Sequence, residues 1–140
     1  MSNRLLLILT TVVLTLGSWQ CRKKNDQIPL VSVNITMNIN EPQFFDLSAV
    51  GGWVYVTGGS RGIIVYRNNL NEFSAYDRHA PFNVDEECQV KVTEDNVIIE
   101  DPCSGSQWLI IDGSLLQGPA GRSLQSYSTT FSDPILHIYN

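Results

Sequence analysis

Residues 62–77 read GIIVYRNNLNEFSAYD. The runs GIIVYR (62–67) and FSAYD (73–77) are rich in β-branched and aromatic residues, and the polar turn between them starts at Asn68-Asn69. This is the pattern of a strand, a turn and a returning strand. Outward from it the pattern repeats. QFFDL (43–47), WVYVT (53–57), CQVKV (88–92), NVIIED (96–101) and WLIID (108–112) are further short strand-like runs. Gly51-Gly52, Gly58-Gly59, Glu94-Asp95-Asn96 and Asp112-Gly113 punctuate them, and LQSYSTTF (124–131) and ILHIY (135–139) close the chain. No segment sustains a 3.6-residue apolar period, and there is no internal repeat or low-complexity run. The expected fold is all-β, an antiparallel sandwich or small barrel.

The chain has 140 residues, of which 43% are hydrophobic and 9% aromatic. That is enough to bury one core and argues against disorder. From Ile28 onward there are five Lys/Arg (Arg61, Arg67, Arg78, Lys91, Arg122) and 13 Asp/Glu, a net of 5 − 13 = −8. An acidic domain without a basic stripe repels nucleic acid, so no nucleic-acid partner is expected. The three cysteines are Cys21, Cys88 and Cys103.

LLLILTTVVLTL (5–16) follows Asn3-Arg4. It is too short to span a bilayer, which takes about 20 residues, and it suits a secretory h-region. Cys21 just beyond it resembles the lipidation site of a bacterial lipoprotein signal. Ser18, Trp19 and Gln20 depart from the Leu-like and small residues preferred before such a cysteine. Arg22, Lys23 and Lys24 disfavour translocation under the positive-inside rule. A simply cleaved signal and an uncleaved anchor are the alternatives. The expected organisation is a signal with lipoprotein cysteine over 1–21, a tether and domain entry over 22–40, and one domain over 41–140. With Cys21 lipidated, two cysteines remain, enough for one disulfide in an oxidising compartment.

DPCSGSQW (101–108) has the outline of an iron–sulfur binding loop. With GIIVYRNNLNEFSAYD (62–77), APF (80–82) and DGSLLQGPAGRSLQSY (112–127), it resembles a Rieske [2Fe–2S] domain. APF falls where that family writes Cys-Pro-His, and DPCSGSQW where it writes Cys-Pro-Cys-His-Gly-Ser-x-Phe. Eighteen residues separate Phe82 from Asp101, close to the family's interval between ligand pairs. The resemblance implies a Rieske-like sandwich with a cluster-loop subdomain. It puts the ligand positions at Ala80, Phe82, Asp101 and Ser104. The family uses two cysteines and two histidines. Ala and Phe offer no donor atom, and Asp and Ser offer only hard oxygen. A second register would place Asp77 and His79 in the first pair, but it breaks the strand match at Ser74–Asp77. The resemblance further implies a disulfide between Cys88 and Cys103, clamping the two loops. Phe82 and Trp108 are candidates to fill the volume of a lost cluster.

The remaining candidates have plainer readings. His79 reads as a loop histidine and His137 as a strand-face residue. Zinc held by Cys88, Cys103 and His79 lacks a Cys-x-x-Cys spacing. Asp77, Glu100, Asp101 and Asp112 are candidates for a divalent cation, with solvated loop carboxylates as the alternative. Gly58-Gly59-Ser60-Arg61-Gly62 lies between two strands with no helix to follow and reads as a hairpin turn. No nucleophile elbow, phosphate loop or His-Glu-x-x-His is present.

The expectation is therefore a non-enzymatic protein of the bacterial cell envelope. It is lipid-anchored to the membrane, Rieske-like, without metal or cofactor, and acts as a binding or structural module. Two alternatives remain: a [2Fe–2S] electron-transfer protein, and an accessory subunit docking a protein partner through an exposed apolar tip around Phe82 and Trp108.

Overall fold

The computed structural model describes residues 26–140. Residues 1–25, with the expected signal and Cys21, lie outside the described residues. Among the described residues, ten strands form two antiparallel sheets. They are β1 (Asn34–Asn38), β2 (Trp53–Val56), β3 (Ile63–Arg67), β4 (Phe73–Asp77), β5 (Lys91–Val92), β6 (Ile98–Glu100), β7 (Gln107–Leu109), β8 (Leu115–Gln117), β9 (Ser126–Ser132) and β10 (Ile135–Tyr139). The larger sheet runs β1-β10-β9-β4-β3-β2 and the smaller β5-β6-β7-β8. Among the described residues no helix is long and apolar enough to cross a membrane.

The stretch 62–77 forms the middle of this architecture. β3 pairs antiparallel with β4 from Ile63↔Asp77 to Arg67↔Phe73. Its side chains alternate between two cores, which is why the run is apolar without a polar face. Ile63 and Val65 join Val54, Ala75, Leu136 and Ile138 in the core inside the larger sheet. Ile64 turns the other way and meets Val90, Ile99 and Trp108 of the smaller-sheet subdomain. The larger sheet curls around its core, so that Ile35 of edge strand β1 reaches Gly58, just past edge strand β2.

Two segments differ from the sequence expectation. QFFDL lies in a 3-10 segment, Pro42–Ser48, rather than a strand. Proline at its start fixes a helix-compatible φ and donates no hydrogen bond. Its apolar residues also fail to alternate, with Phe45 70% exposed and Leu47 buried. Strand β1 lies within 22–40, where the sequence suggested tether and entry. Met37 and Ile39 there are buried in the first core.

Arg67, at the end of β3, is buried. Its guanidinium donates to the carbonyls of Leu47 (2.8 Å), Ser48 (3.1 Å), Asn69 (3.2 Å) and Leu70 (2.7 Å). One planar fork thus fastens the 3-10 segment to the β3–β4 turn, as only arginine's fixed donor geometry allows. Removing it leaves carbonyls poorly satisfied, each worth about 1–3 kcal/mol. We expect Arg67→Met to lower unfolding free energy by about 3 kcal/mol, and Arg67→Lys to recover only part of it. Urea denaturation measures both.

Candidate functional site at the loop tip

The chain leaves the larger sheet at Asp77 and enters the first tip loop. The amide of Ala80 donates to the Cys88 carbonyl (2.9 Å), closing residues 80–88 into a loop. Inside it lies a 3-10 turn, Val84–Glu86. The second tip loop joins β6 to β7. Asp101 N–H donates to the Ser106 carbonyl (2.9 Å), and Gly105 N–H donates to the Asp101 carbonyl (2.8 Å). Gly105 turns the chain there with φ +76°, a conformation that favours glycine. A Cys88–Cys103 disulfide joins the loops, with the Cα atoms 6.4 Å apart.

The four ligand positions implied by the Rieske resemblance all lie on these loops. Ala80 is fully buried in the second core, and Phe82 packs partly buried against that core. Asp101 is also fully buried. Its Oδ1 accepts the Cys103 amide (3.0 Å) and its Oδ2 accepts the Ser104 hydroxyl (2.5 Å). Ser104 Oγ in turn accepts from Ser106 N–H (3.2 Å) and lies 2.8 Å from Ser106 Oγ. Ser106 Oγ accepts the Ala120 amide (2.9 Å). Since the Ser104 proton is given to the carboxylate, Ser106 donates to Ser104, and a directed chain runs from Ala120 to Asp101. A buried carboxylate is tolerable only when it is supplied with donors in this way.

This donor set does not fit a [2Fe–2S] cluster. Ala80 and Phe82 have no donor atom. Asp101 and Ser104 offer hard oxygen where the cluster uses thiolate and imidazole, and each satisfies the other. The two cysteine sulfurs and Asp101 lie within 4.8 Å of one another, but the disulfide uses both sulfurs. His79 is not part of that group, so the Cys88–Cys103–His79 zinc arrangement does not form.

A second polar cluster lies where β4 meets the first loop. Asp77 is fully buried. Its oxygens accept from Ser60 N–H (2.6 Å), Arg61 N–H (3.3 Å), His79 N–H (2.7 Å) and the Tyr127 hydroxyl (2.6 Å). Gly59, at φ +60°, is needed here because a Cβ would overlap both Asp77 Oδ2 and the Tyr127 hydroxyl. His79 is buried, not a free loop residue. Its Nε2 lies 2.9 Å from the Val84 carbonyl and its Nδ1 lies 2.8 Å from Ser60 Oγ. A carbonyl only accepts, so in the neutral ring Nε2 carries the proton and Nδ1 accepts from Ser60.

Gly58–Gly62 has the spacing Gly-x-Ser-x-Gly, and Ser60 does meet a histidine. A nucleophilic triad still does not result. Asp77 contacts the His79 amide rather than its ring, and it takes the Ser60 and Arg61 amides that would have to serve an oxyanion. The turn also passes from β2 to β3 and not into a helix. Asp77 and Asp101, expected from the sequence as cation ligands or solvated loop carboxylates, are both interior acceptors.

The proposed cation group does not assemble. Asp77 and Asp101 serve separate clusters, Glu100 accepts from Gln107 Nε2 (2.7 Å), and Asp112 accepts the Ser114 amide (2.9 Å). His137, on β10, has its Nε2 2.7 Å from Asn34 Oδ1 and its ring against Tyr139. Trp108 is fully buried and donates its indole N–H to the Arg122 carbonyl (2.9 Å). The exposed apolar tip that accessory docking requires is therefore not formed around Trp108.

No family model matches the sequence, and no curated protein matches it. Among solved structures, the chain is similar to the cyanobacterial plasma membrane Rieske protein PetC3 from Synechocystis PCC 6803. The TM-score is 0.55 at 24% identity, over 76% of this chain and 99% of that one. That likeness shows a Rieske-like all-β fold, as the sequence resemblance implies.

Two predictions concern the tip and its junction. Burial pushes the Tyr76 phenol up to about 12, from an ordinary value of 10.0. Burial, then the hydrogen bond to Asp77 and that group's charge, pushes Tyr127 up as well. The fold favours the neutral phenols. Their contribution is complete below pH 10 and is lost above it, as the unfolded chain ionises first. Denaturation midpoints should fall between about pH 10 and 12, and Tyr76→Phe with Tyr127→Phe should flatten that fall. The disulfide spans 15 residues, which corresponds to about 3 kcal/mol in the chain-entropy account. Replacing both cysteines by alanine should lower stability by about that amount in chemical denaturation.

Proposed function

We propose that this chain is an exported, membrane-tethered Rieske-like domain that carries no [2Fe–2S] cluster and acts as a binding or structural module, not an enzyme. One observation carries the reading. Asp101 and Ser104, at the second loop's cysteine and histidine ligand positions, are bonded to each other. Ala80 and Phe82 supply the first loop with no ligand to compensate. The disulfide and the internal polar chain give the loops the rigidity that a cluster would otherwise lend.

Tethering is supported by the h-region over 5–16 and by Cys21 beyond it. The structural neighbour is itself a plasma membrane Rieske protein, which agrees with a membrane setting. The Cys88–Cys103 disulfide suits an oxidising compartment outside the cytoplasm.

The test is the purified protein, made in an iron-replete host that builds clusters. It should be colourless, contain no stoichiometric iron, and give no signal in electron paramagnetic resonance after dithionite reduction. Two irons per chain, with the low average g-value of a Rieske centre, would establish the electron-transfer alternative instead.

A further inference from the structure

We infer that the loop tip faces the lipid surface, with the headgroup layer as its neighbour. The inference rests on the proposed lipidation of Cys21 and deepens it. The described chain begins at the tip and not at the opposite end. Asp26 Oδ1 accepts the amide of Asn83, in the middle of the first tip loop (3.3 Å). Ile28 is 6% exposed. Asp26 and Ile28 also line one cleft with Pro81, Arg122 and Leu124. The entry segment is thus packed on the loop that carries Ala80 and Phe82 and ends at Cys88, which is disulfide-bonded to Cys103.

The distance to the anchor follows from chain length alone. Five Cα steps separate Cys21 from Asp26. At full extension they reach about 18 Å, whatever path they take. A compact domain of this length is about 35 Å across. Lipid chains on Cys21 therefore hold the tip within one short tether of the bilayer, and a tip pointing outward is beyond reach. Arg22, Lys23 and Lys24 lie within that tether and favour a surface of anionic headgroups. The opposite end carries the β3–β4 turn and residues 95–97, where Asn68 Nδ2 donates to the Ile111 carbonyl and Trp53 Nε1 donates to Asn96 Oδ1, tying the two subdomains together. That end is left for soluble partners.

The test uses the full lipidated chain, isotope-labelled, in nanodiscs of phosphatidylethanolamine and phosphatidylglycerol with a gadolinium-bearing headgroup lipid. The amides of Asn83–Glu87 and Cys103–Gly105 should lose several-fold more signal than those of Leu70 and Val97. Intact mass measured on the same sample reports whether Cys21 is diacylated. Diacylated protein with uniform loss, or with greater loss at Leu70 and Val97, overturns the orientation while leaving the anchor standing. An unmodified Cys21 overturns the anchor, and the orientation with it.

Discussion

Burial of the Asp77 carboxylate is the constraint on which the rest of the molecule is arranged. It sits at the last position of β4, where the chain passes from the larger sheet to the tip. Among the described residues no ion pair reaches it. Its solvation comes from donors on three other pieces of chain: the β2–β3 turn, the start of the first tip loop, and β9. Losing water around a carboxylate is expensive, and only a full set of short hydrogen bonds offsets it. Those bonds fix the β2–β3 turn and oblige glycine at position 59. They also set the direction in which residues 78–80 leave the sheet. The Ser60–His79–Val84 chain carries the same order one step further into the loop.

Asp101 solves the same problem at the other side of the tip. It is a buried carboxylate whose donors come from its own loop, and the Ser104–Ser106–Ala120 chain passes that order to the segment before Leu124. The two loops are thus each internally satisfied and are joined by one covalent link. Nothing in this arrangement leaves a soft donor turned toward a metal. A polar network that is fully satisfied rigidifies a region without any cofactor, and the tip has the properties of such a region.

Much of this was legible in the sequence. The alternation hidden in GIIVYR and the turn at Asn68-Asn69 mark the central hairpin because strands buried on both faces must be apolar throughout. The pairing of Cys88 with Cys103 follows from the family resemblance. Other features left no local signal. Strand β1 is short and polar on one face, and its identity depends on pairing with β10 across the whole chain. Arg67 looks like any strand-end arginine until its four carbonyl partners converge. Asp77, Asp101 and His79 look solvated because their donors are backbone amides and hydroxyls, which composition does not advertise. A buried acid with backbone donors and an exposed loop acid are the same letter.

The central claim is that side-chain oxygens bonded to one another occupy the place where a Rieske cluster would be held. Diffraction from crystals of the full oxidised protein, purified from iron-replete cells and recorded at the iron absorption edge, tests it most directly. The account predicts no anomalous peak between the two loops, and Ser104 Oγ within hydrogen-bond distance of Asp101. Two iron peaks between residues 80–82 and 101–104 would contradict it.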